Sequence, residues 1–182
     1  MPLLEGKSAC LADLGPNQFQ VELEFLIGSN EVNVKILDRL VTNHTFAARP
    51  RPCLLPGQLN GLLKGFIDLV FVHNQQYYVA DYKFNGLGNN DADYTEDVME
   101  AAMLTKRYDL QCTLYLLALH RLLKVRLGLS YDYDSHVGGG LYLFLRGAHG
   151  STGGRIIIKP PKVLIESMDS LFSGSALQGE SA

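Results

Sequence analysis

Alternating apolar and polar residues predict the strands of this chain. Between residues 19 and 27, the apolar side chains that share one face are Val21, Leu23, Phe25 and Ile27. This is the period of a half-buried strand. Runs 62–72 and 76–84 are rich in β-branched and aromatic residues and flank the polar turn 73–75, so together they predict a hairpin. The segment 32–40 is a further extended candidate, although its pattern also fits a short helix.

Helical patterns dominate the second half of the chain. A capping box of Asp93 and Glu96 predicts a helix that runs to about Tyr108. Leucines at helical spacing predict a second helix over 109–127. The polar side of this second helix holds a basic cluster of His120, Arg121, Lys124 and Arg126. Such a cluster is typical of a solvated face and also suits contact with phosphate.

Three shorter elements complete the predicted order. The glycines 138–140 are interpreted as a turn, because their spacing does not match a phosphate-binding fingerprint. A buried strand is predicted directly after them. Residues 155–159 are predicted to be extended, and 165–172 to form the last helix.

Composition limits the class of protein. A chain of 182 residues with 47% hydrophobic content suits one packed domain. We divide it into an N-terminal segment 1–17 of weak periodicity, which we expect to be frayed, a domain 18–172 and a flexible tail 173–182. Three scattered cysteines and the lack of a long apolar run favour a reducing, cytoplasmic setting without a membrane span. The net charge of −3 gives no sign of nucleic-acid binding, so a polyanionic substrate would need a local basic patch or a bound cation.

Two aspartates face each other in the predicted hairpin. If the loop is symmetric about residues 74 and 75, Asp68 lies opposite Asp81. The same register places Phe66 opposite Lys83. Like charges at cross-strand positions destabilise a sheet, and apolar neighbours make this worse. Three interpretations remain open at this point: a solvated sheet edge, a proton shared by the carboxylates, and a divalent cation such as Mg²⁺ with Lys83 beside it to stabilise charge on a phosphoryl group.

Two further pairs of polar residues are candidates for the same site. Glu22 and Glu24 share a face of the first strand and offer a third carboxylate if that strand neighbours the hairpin. A water-facing side of the strand is an equal alternative. Gln111 and Tyr115 are four residues apart on one helix face, where simple packing and contact with a phosphate or base both remain open.

Four segments together resemble the RecB family of nuclease domains, within the PD-(D/E)XK superfamily. They are GLLKGFIDLVF (61–71), YYVADYK (77–83), RYDLQCTLYLLALHR (107–121) and GGGLYLFLRG (138–147). The resemblance covers the chain from about residue 18 to residue 174. It implies an α/β fold of the restriction-endonuclease type, with a mixed central sheet flanked by helices. It also implies a DNA exonuclease of the exodeoxyribonuclease V type, which trims single strands emerging from a helicase during DNA repair and recombination.

The same resemblance implies roles for individual residues. The metal ion would be Mg²⁺, for which Mn²⁺ or Ca²⁺ can substitute in binding, and its ligands would be Asp68, Asp81 and the backbone carbonyl of Tyr82. Lys83 would be the catalytic lysine, and Glu22 an acidic residue near the site. Gln111 and Tyr115 match a Q-x-x-x-Y motif of the family, so they are expected to bind DNA or support the site.

The chain also departs from the family pattern. Ile67 stands where the superfamily has proline, and Asp81 where many members have glutamate; both are usual for RecB-type domains. The family's metal-binding histidine on an upstream helix has no counterpart in this sequence, and no helicase motif is present. We therefore expect a fragment of a longer subunit, with an incomplete metal site and weak or no nuclease activity in isolation.

The resemblance also implies partners. They would be single-stranded DNA, RecC-like and RecD-like subunits, and a RecA-like recombinase. Two other functions are weighed against the nuclease. One is a non-catalytic docking module of the same fold, which the intact Asp68, Asp81 and Lys83 argue against. The other is RNA processing by a related nuclease.

Overall fold

The computed structural model describes residues 2–4 and 7–174. Strands β1 (Pro2–Leu4) and β2 (Lys7–Cys10) form a small antiparallel sheet within the predicted N-terminal segment. Residues 1, 5 and 6 of that segment lie outside the described residues. Of the predicted tail, Ser173 and Gly174 form a turn, and 175–182 lie outside the described residues.

Five strands form a mixed central sheet in the order β3-β4-β5-β6-β7. They are β3 (Phe19–Asn33), β4 (Gln58–His73), β5 (Gln76–Lys83), β6 (Val137–Phe144) and β7 (Arg155–Ile158). Neighbouring strands are antiparallel except β5 and β6, which are parallel. The predicted α/β class with a mixed sheet is confirmed.

Helices pack against this sheet. They are α1 (Val34–His44), α2 (Glu96–Thr105), α3 (Tyr108–Leu127), α4 (Tyr133–His136) and α5 (Lys162–Phe172). Helix α3 contacts β3, β5 and β6 as well as α1, α2 and α5, so it is the central element of the main core. A smaller core on the other face of the sheet contains Leu69, Phe71, Tyr78, Ala80, Leu141 and Leu143. Among the residues that the structure describes, no helix combines the length and apolarity to cross a membrane.

The extended prediction for 32–40 is wrong beyond Asn33. Strand β3 ends there, and the Asn33 side chain accepts hydrogen bonds from two backbone N–H groups of the next turn, which caps a helix. The buried residues of that helix are Val34, Leu37 and Val41. Their spacing of three and four places them on one face, so the pattern is helical.

The helix predicted to run to about Tyr108 is two helices. Its N-terminal cap is Thr95, whose hydroxyl accepts from the backbone N–H of Val98. Asp93 instead caps a preceding 3₁₀ turn together with Asn90, so the predicted capping box is wrong. Arg107 has a left-handed backbone, with φ of 55°, which ends α2 before α3 begins.

A buried ion-pair network fastens the proline-rich loop before β4 to the start of α3. Arg51 Nη1 lies 2.7 Å from Asp109 Oδ2, and these side chains are 1% and 0% exposed. Asp109 also accepts from Arg107 Nε at 3.2 Å. Arg107 in turn lies 2.6 Å from Asp38 of α1. The network therefore fixes the N-terminal end of α3 against α1 and the loop.

The glycines 138–140 lie within β6, and the prediction of a turn is wrong. A Cβ added at these three positions would overlap, in order, the ring of Tyr78, the carbonyl oxygen of Ile158 and the sulfur of Cys112. Gly139 also has φ of 130°, which disfavours any side chain. Glycine is needed here because neighbouring elements approach the strand closely.

Gly140→Ala is expected to destabilise the fold by about 1–3 kcal/mol, the usual cost of overpacking a core. The added methyl group would overlap the sulfur of Cys112 on α3. The Cys112 Cβ lies 3.9 Å from the methyl position, so adding Cys112→Ala should recover much of the loss. Urea denaturation of both single variants and the double variant measures this coupling. Strictly additive free energies would show that the sulfur is not the obstacle.

The last two predicted elements are confirmed. Residues 155–158 form β7, and α5 begins at Lys162, slightly before the predicted start.

Candidate active site

The predicted hairpin has the predicted register. Asn74 and Gln75 have positive φ, 49° and 64°, as a two-residue type I′ turn requires. The cross-strand pairs run from His73↔Gln76 to Leu69↔Ala80. The pairing of β4 with β5 therefore ends one step before the two aspartates.

The strands separate at Asp68. Its Oδ2 accepts a hydrogen bond of 2.9 Å from the backbone N–H of Tyr82, so a side-chain carboxylate takes the place of a strand carbonyl. The predicted opposition of Phe66 and Lys83 is wrong, because the pairs between β4 and β5 end at Leu69↔Ala80. Asp68 thus lies where β4 and β5 stop pairing, near the C-terminal end of β5.

Strand β4 is irregular at the same level. Ile67 and Val70 both belong to the main core, although residues three apart in a regular strand point to opposite faces. On β3, Glu22 has φ of 49°, and the register of the two strands puts it opposite Asp68. Both strands therefore depart from regular geometry at the level of Asp68.

The two glutamates of β3 have different surroundings. Glu22 is exposed and lies at the level of Asp68. Glu24 is exposed as well and forms an ion pair of 3.0 Å with Lys64. Of the two, Glu22 is the one that the strand register places at the level of Asp68.

Asp81 and Lys83 form a buried ion pair. Lys83 Nζ lies 2.6 Å from Asp81 Oδ2, and the side chains are 10% and 6% exposed. The interpretation as a solvated edge is therefore wrong for these two residues. Burial, the largest cause, raises the pKa of Asp81; Lys83 opposes this shift and the charge of Asp68 adds to it. Because the pKa of Asp81 is raised overall, ionising its carboxyl group in the folded protein costs free energy unless a further cation is present.

Helix α3 closes a ring of polar contacts around this pair. Lys83 Nζ donates to Gln111 Oε1 at 2.9 Å. Gln111 Nε2 donates to the Tyr115 hydroxyl at 2.9 Å, and that hydroxyl donates to Asp81 Oδ1 at 3.3 Å. Burial raises the pKa of Tyr115, which keeps the hydroxyl protonated as a donor. The aromatic ring of Tyr115 is buried, so it is not exposed for stacking on a base. The geometry therefore favours support of the site by Gln111 and Tyr115 over direct DNA contact.

Two tyrosines that the sequence analysis missed lie against Lys83. Its Nζ is 3.7 Å from the centroid of the Tyr108 ring and 5.3 Å from that of Tyr142. Tyr108 precedes Gln111 by three positions in the sequence, a spacing that puts both on one helix face and was a readable signal. Tyr142 comes close to Lys83 because β6 pairs in parallel with β5, which places Tyr142 next to Asp81. The local sequence does not indicate that register.

The donors at this site fit a hard divalent cation. Asp81 Oδ2 is buried, and the close partner that the structure gives it is the Lys83 ammonium group, 2.6 Å away. The Asp68 carboxylate and the backbone carbonyl of Tyr82 add oxygen donors, the type that Mg²⁺ prefers. The described residues hold no group of three His, Cys, Asp or Glu side chains placed for a metal. Carbonyl and water oxygens would therefore have to complete the coordination shell.

The basic cluster of α3 is largely engaged in packing. His120 is buried, which corrects the prediction of a solvated stripe. Arg121 Nε and Lys124 Nζ lie 2.7 and 3.3 Å from the carboxylate of Asp169 on α5. These contacts hold α5 against α3, while Lys124 and Arg126 remain exposed.

Comparisons with known proteins identify the family of this chain. A model of the PD-(D/E)XK nuclease superfamily matches residues 13–170, and the chain belongs to this superfamily. Within it, the chain is similar to the RecBCD enzyme subunit RecB of several bacteria. The identity is 43% over 171 residues for Escherichia coli K12, 38% over 175 for Haemophilus influenzae and 39% over 129 for Mycobacterium tuberculosis H37Rv.

These alignments cover 92%, 94% and 66% of this chain but 14%, 14% and 12% of the three RecB proteins. The chain therefore spans about one seventh of the length of the first two of these curated relatives. The predicted resemblance to RecB nuclease domains is confirmed.

Proposed function

We propose that this domain is the nuclease of a RecBCD-type helicase–nuclease and hydrolyses phosphodiester bonds of single-stranded DNA with Mg²⁺. The observation that carries the proposal is the buried contact between Asp81 and Lys83 beside Asp68. A buried carboxylate whose pKa is raised by burial and by a second carboxylate is stabilised by a cation. A module that serves only for docking gains nothing from this arrangement.

The proposed roles follow from the contacts. Asp68, Asp81 and the Tyr82 carbonyl would hold the metal ion, with Glu22 as a supporting acidic residue. When bound, the ion would polarise a phosphoryl oxygen and make water a better nucleophile. Lys83 would donate to the oxygen on which negative charge develops.

Gln111 and Tyr115 would support the chemistry without touching the substrate. Gln111 accepts from Lys83, and Tyr115 donates to Asp81. Each contact fixes one member of the ion pair, so the two side chains keep their geometry as substrate enters.

The partners and location are part of the same proposal. Since the similar proteins are RecB subunits of RecBCD enzymes, we place this domain in the cytoplasm with RecC-like and RecD-like subunits. We also propose a role in double-strand-break repair and recombination, with a RecA-like recombinase as a further partner.

A comparison of substrates tests the proposal. End-labelled single-stranded DNA and RNA of one sequence are incubated with the RecBCD-type complex that carries this domain, with Mg²⁺ or with EDTA. We expect Mg²⁺-dependent cleavage of the DNA. Faster cleavage of the RNA would favour RNA processing instead.

Metal binding by the 182-residue chain is the second measurement. Calorimetric titration with Mg²⁺, Mn²⁺ and Ca²⁺ is expected to show binding. If none of the three ions binds at millimolar concentration and the complex does not cleave DNA, the docking module is the better assignment.

A further inference from the structure

Lys83 is enclosed by aromatic rings as well as by polar groups. Its Nζ lies over the face of Tyr108, 3.7 Å from the ring centroid, and the Tyr142 centroid is 5.3 Å away. Attraction between a cation and a ring face becomes stronger when water is excluded. Lys83 is buried, so both rings contribute to holding its ammonium group.

The two rings are held in place by contacts that do not involve Lys83. They stack with centroids 6.0 Å apart and an angle of 21° between their planes. The Tyr108 hydroxyl donates to Asn85 Oδ1 at 3.3 Å. The Tyr142 hydroxyl lies 3.2 Å from two acceptors, Gln111 Oε1 and the Tyr108 carbonyl oxygen. The rings therefore form a fixed surface against which the lysine packs.

We propose that Tyr108 and Tyr142 are positioning residues, an aromatic clamp that orients Lys83 and retains its ammonium group independently of Asp81. The proposal rests on the nuclease function proposed above. Asp81 is both the ion-pair partner of Lys83 and a proposed metal ligand. A carboxylate that shares its charge with a divalent ion attracts an ammonium group less strongly. The uncharged rings keep their attraction for Lys83 in either case.

The first test needs no nuclease activity. In NMR spectra of the 182-residue chain without metal, ring currents from Tyr108 should shift the Lys83 ε-methylene protons upfield of those of the exposed Lys35 and Lys106. Lys83→Arg identifies the signal by its disappearance. Tyr108→Leu should remove the shift, whereas Tyr108→Phe, which keeps the ring, should retain it. A Lys83 signal at the position of the exposed lysines in the wild type would overturn the clamp, whatever the protein's activity.

The second test measures cleavage of single-stranded DNA by the complex. Tyr108→Leu is expected to lower kcat about thirtyfold, the size of a desolvated cation–π contact, with KM unchanged. Tyr108→Phe should restore kcat to within about twofold, because the phenyl face also attracts the ammonium group. The matched control is Tyr131→Leu, which removes a ring packed at the other end of α3, against His120, and should leave kcat unchanged. Equal kcat values for Tyr108→Leu and the wild type, or an equal loss in Tyr131→Leu, would contradict a positioning role. A wild type without cleavage would count against the proposed function, and the NMR result would then decide the clamp alone.

Discussion

Asp81→Asn is expected to reduce Mg²⁺-dependent cleavage of single-stranded DNA about a thousandfold. The amide keeps the shape of the side chain and removes the charge that we assign to metal binding. A bound metal ion contributes several kcal/mol to stabilising charge in the transition state, and a loss of about 4 kcal/mol corresponds to about a factor of 10³ in rate. The measurement is kcat/KM for a labelled strand at saturating Mg²⁺.

Glu24→Gln is the matched control for this variant. Its carboxylate lies on β3, two strands away from Asp81, is exposed and pairs with Lys64. Neutralising it should change kcat/KM by less than about twofold, since exposed ion pairs contribute little. Similar kcat/KM values for Asp81→Asn and the wild type would refute the role of Asp81.

The folding stability of Asp81→Asn separates metal binding from structural damage. Because the pKa of Asp81 is raised by burial, the folded protein binds this proton more tightly than the unfolded chain. The resulting stability is fully present below the unfolded pKa of about 3.9 and is lost as pH rises through the folded pKa. At neutral pH in EDTA, the neutral amide removes this penalty but leaves the buried ammonium group of Lys83 without its ion-pair partner. Because the two effects oppose each other, the melting temperature should differ only slightly from that of the wild type.

Adding Mg²⁺ should then raise the melting temperature of the wild type alone, since a ligand that binds only the folded state stabilises it. A large loss of stability of the amide variant in EDTA would show instead that the charge of Asp81 is needed for folding.

The hairpin could be predicted from sequence because its geometry is local. One two-residue turn, Asn74-Gln75, sets every pair between β4 and β5. Spacing alone left three interpretations of Asp68 and Asp81, and the resemblance to RecB-type domains favoured one of them. What the turn could not reveal is that the strands separate at Asp68, where β3 and β4 both depart from regular geometry.

The missed features depend on contacts between distant segments. Tyr142 reaches Lys83 only through the parallel register of β6 with β5. The glycines 138–140 have the composition of a turn, yet they are glycines because Tyr78, Ile158 and Cys112 approach β6 closely. Such requirements for space are set by tertiary packing, which no local pattern encodes.

A change at the start of α3 should have the largest effect on stability. Asp109→Asn is expected to cost about 3–5 kcal/mol, because it leaves the buried guanidinium of Arg51 without a counter-charge. At about 2–4 °C per kcal/mol for a chain of this size, the melting temperature should fall by about 6–20 °C. The control is Arg49→Ala, whose ion pair with Glu100 is 44% and 25% exposed and should contribute about 0–1 kcal/mol.

Removing both charges tests the reason for that loss. If an uncompensated buried charge is the cause, Arg51→Met combined with Asp109→Leu should be less destabilised than Asp109→Asn alone, since apolar pairs often replace buried ion pairs without loss. Arg107 would keep its contact with Asp38 in the double variant. Asp109 stands between Tyr108 and Gln111, the two residues of α3 that touch Lys83. Any loss of cleavage in Asp109→Asn should therefore be recovered in the double variant together with stability. A double variant that melts below Asp109→Asn would show that the network stabilises α3 through its specific hydrogen bonds and not merely through charge compensation.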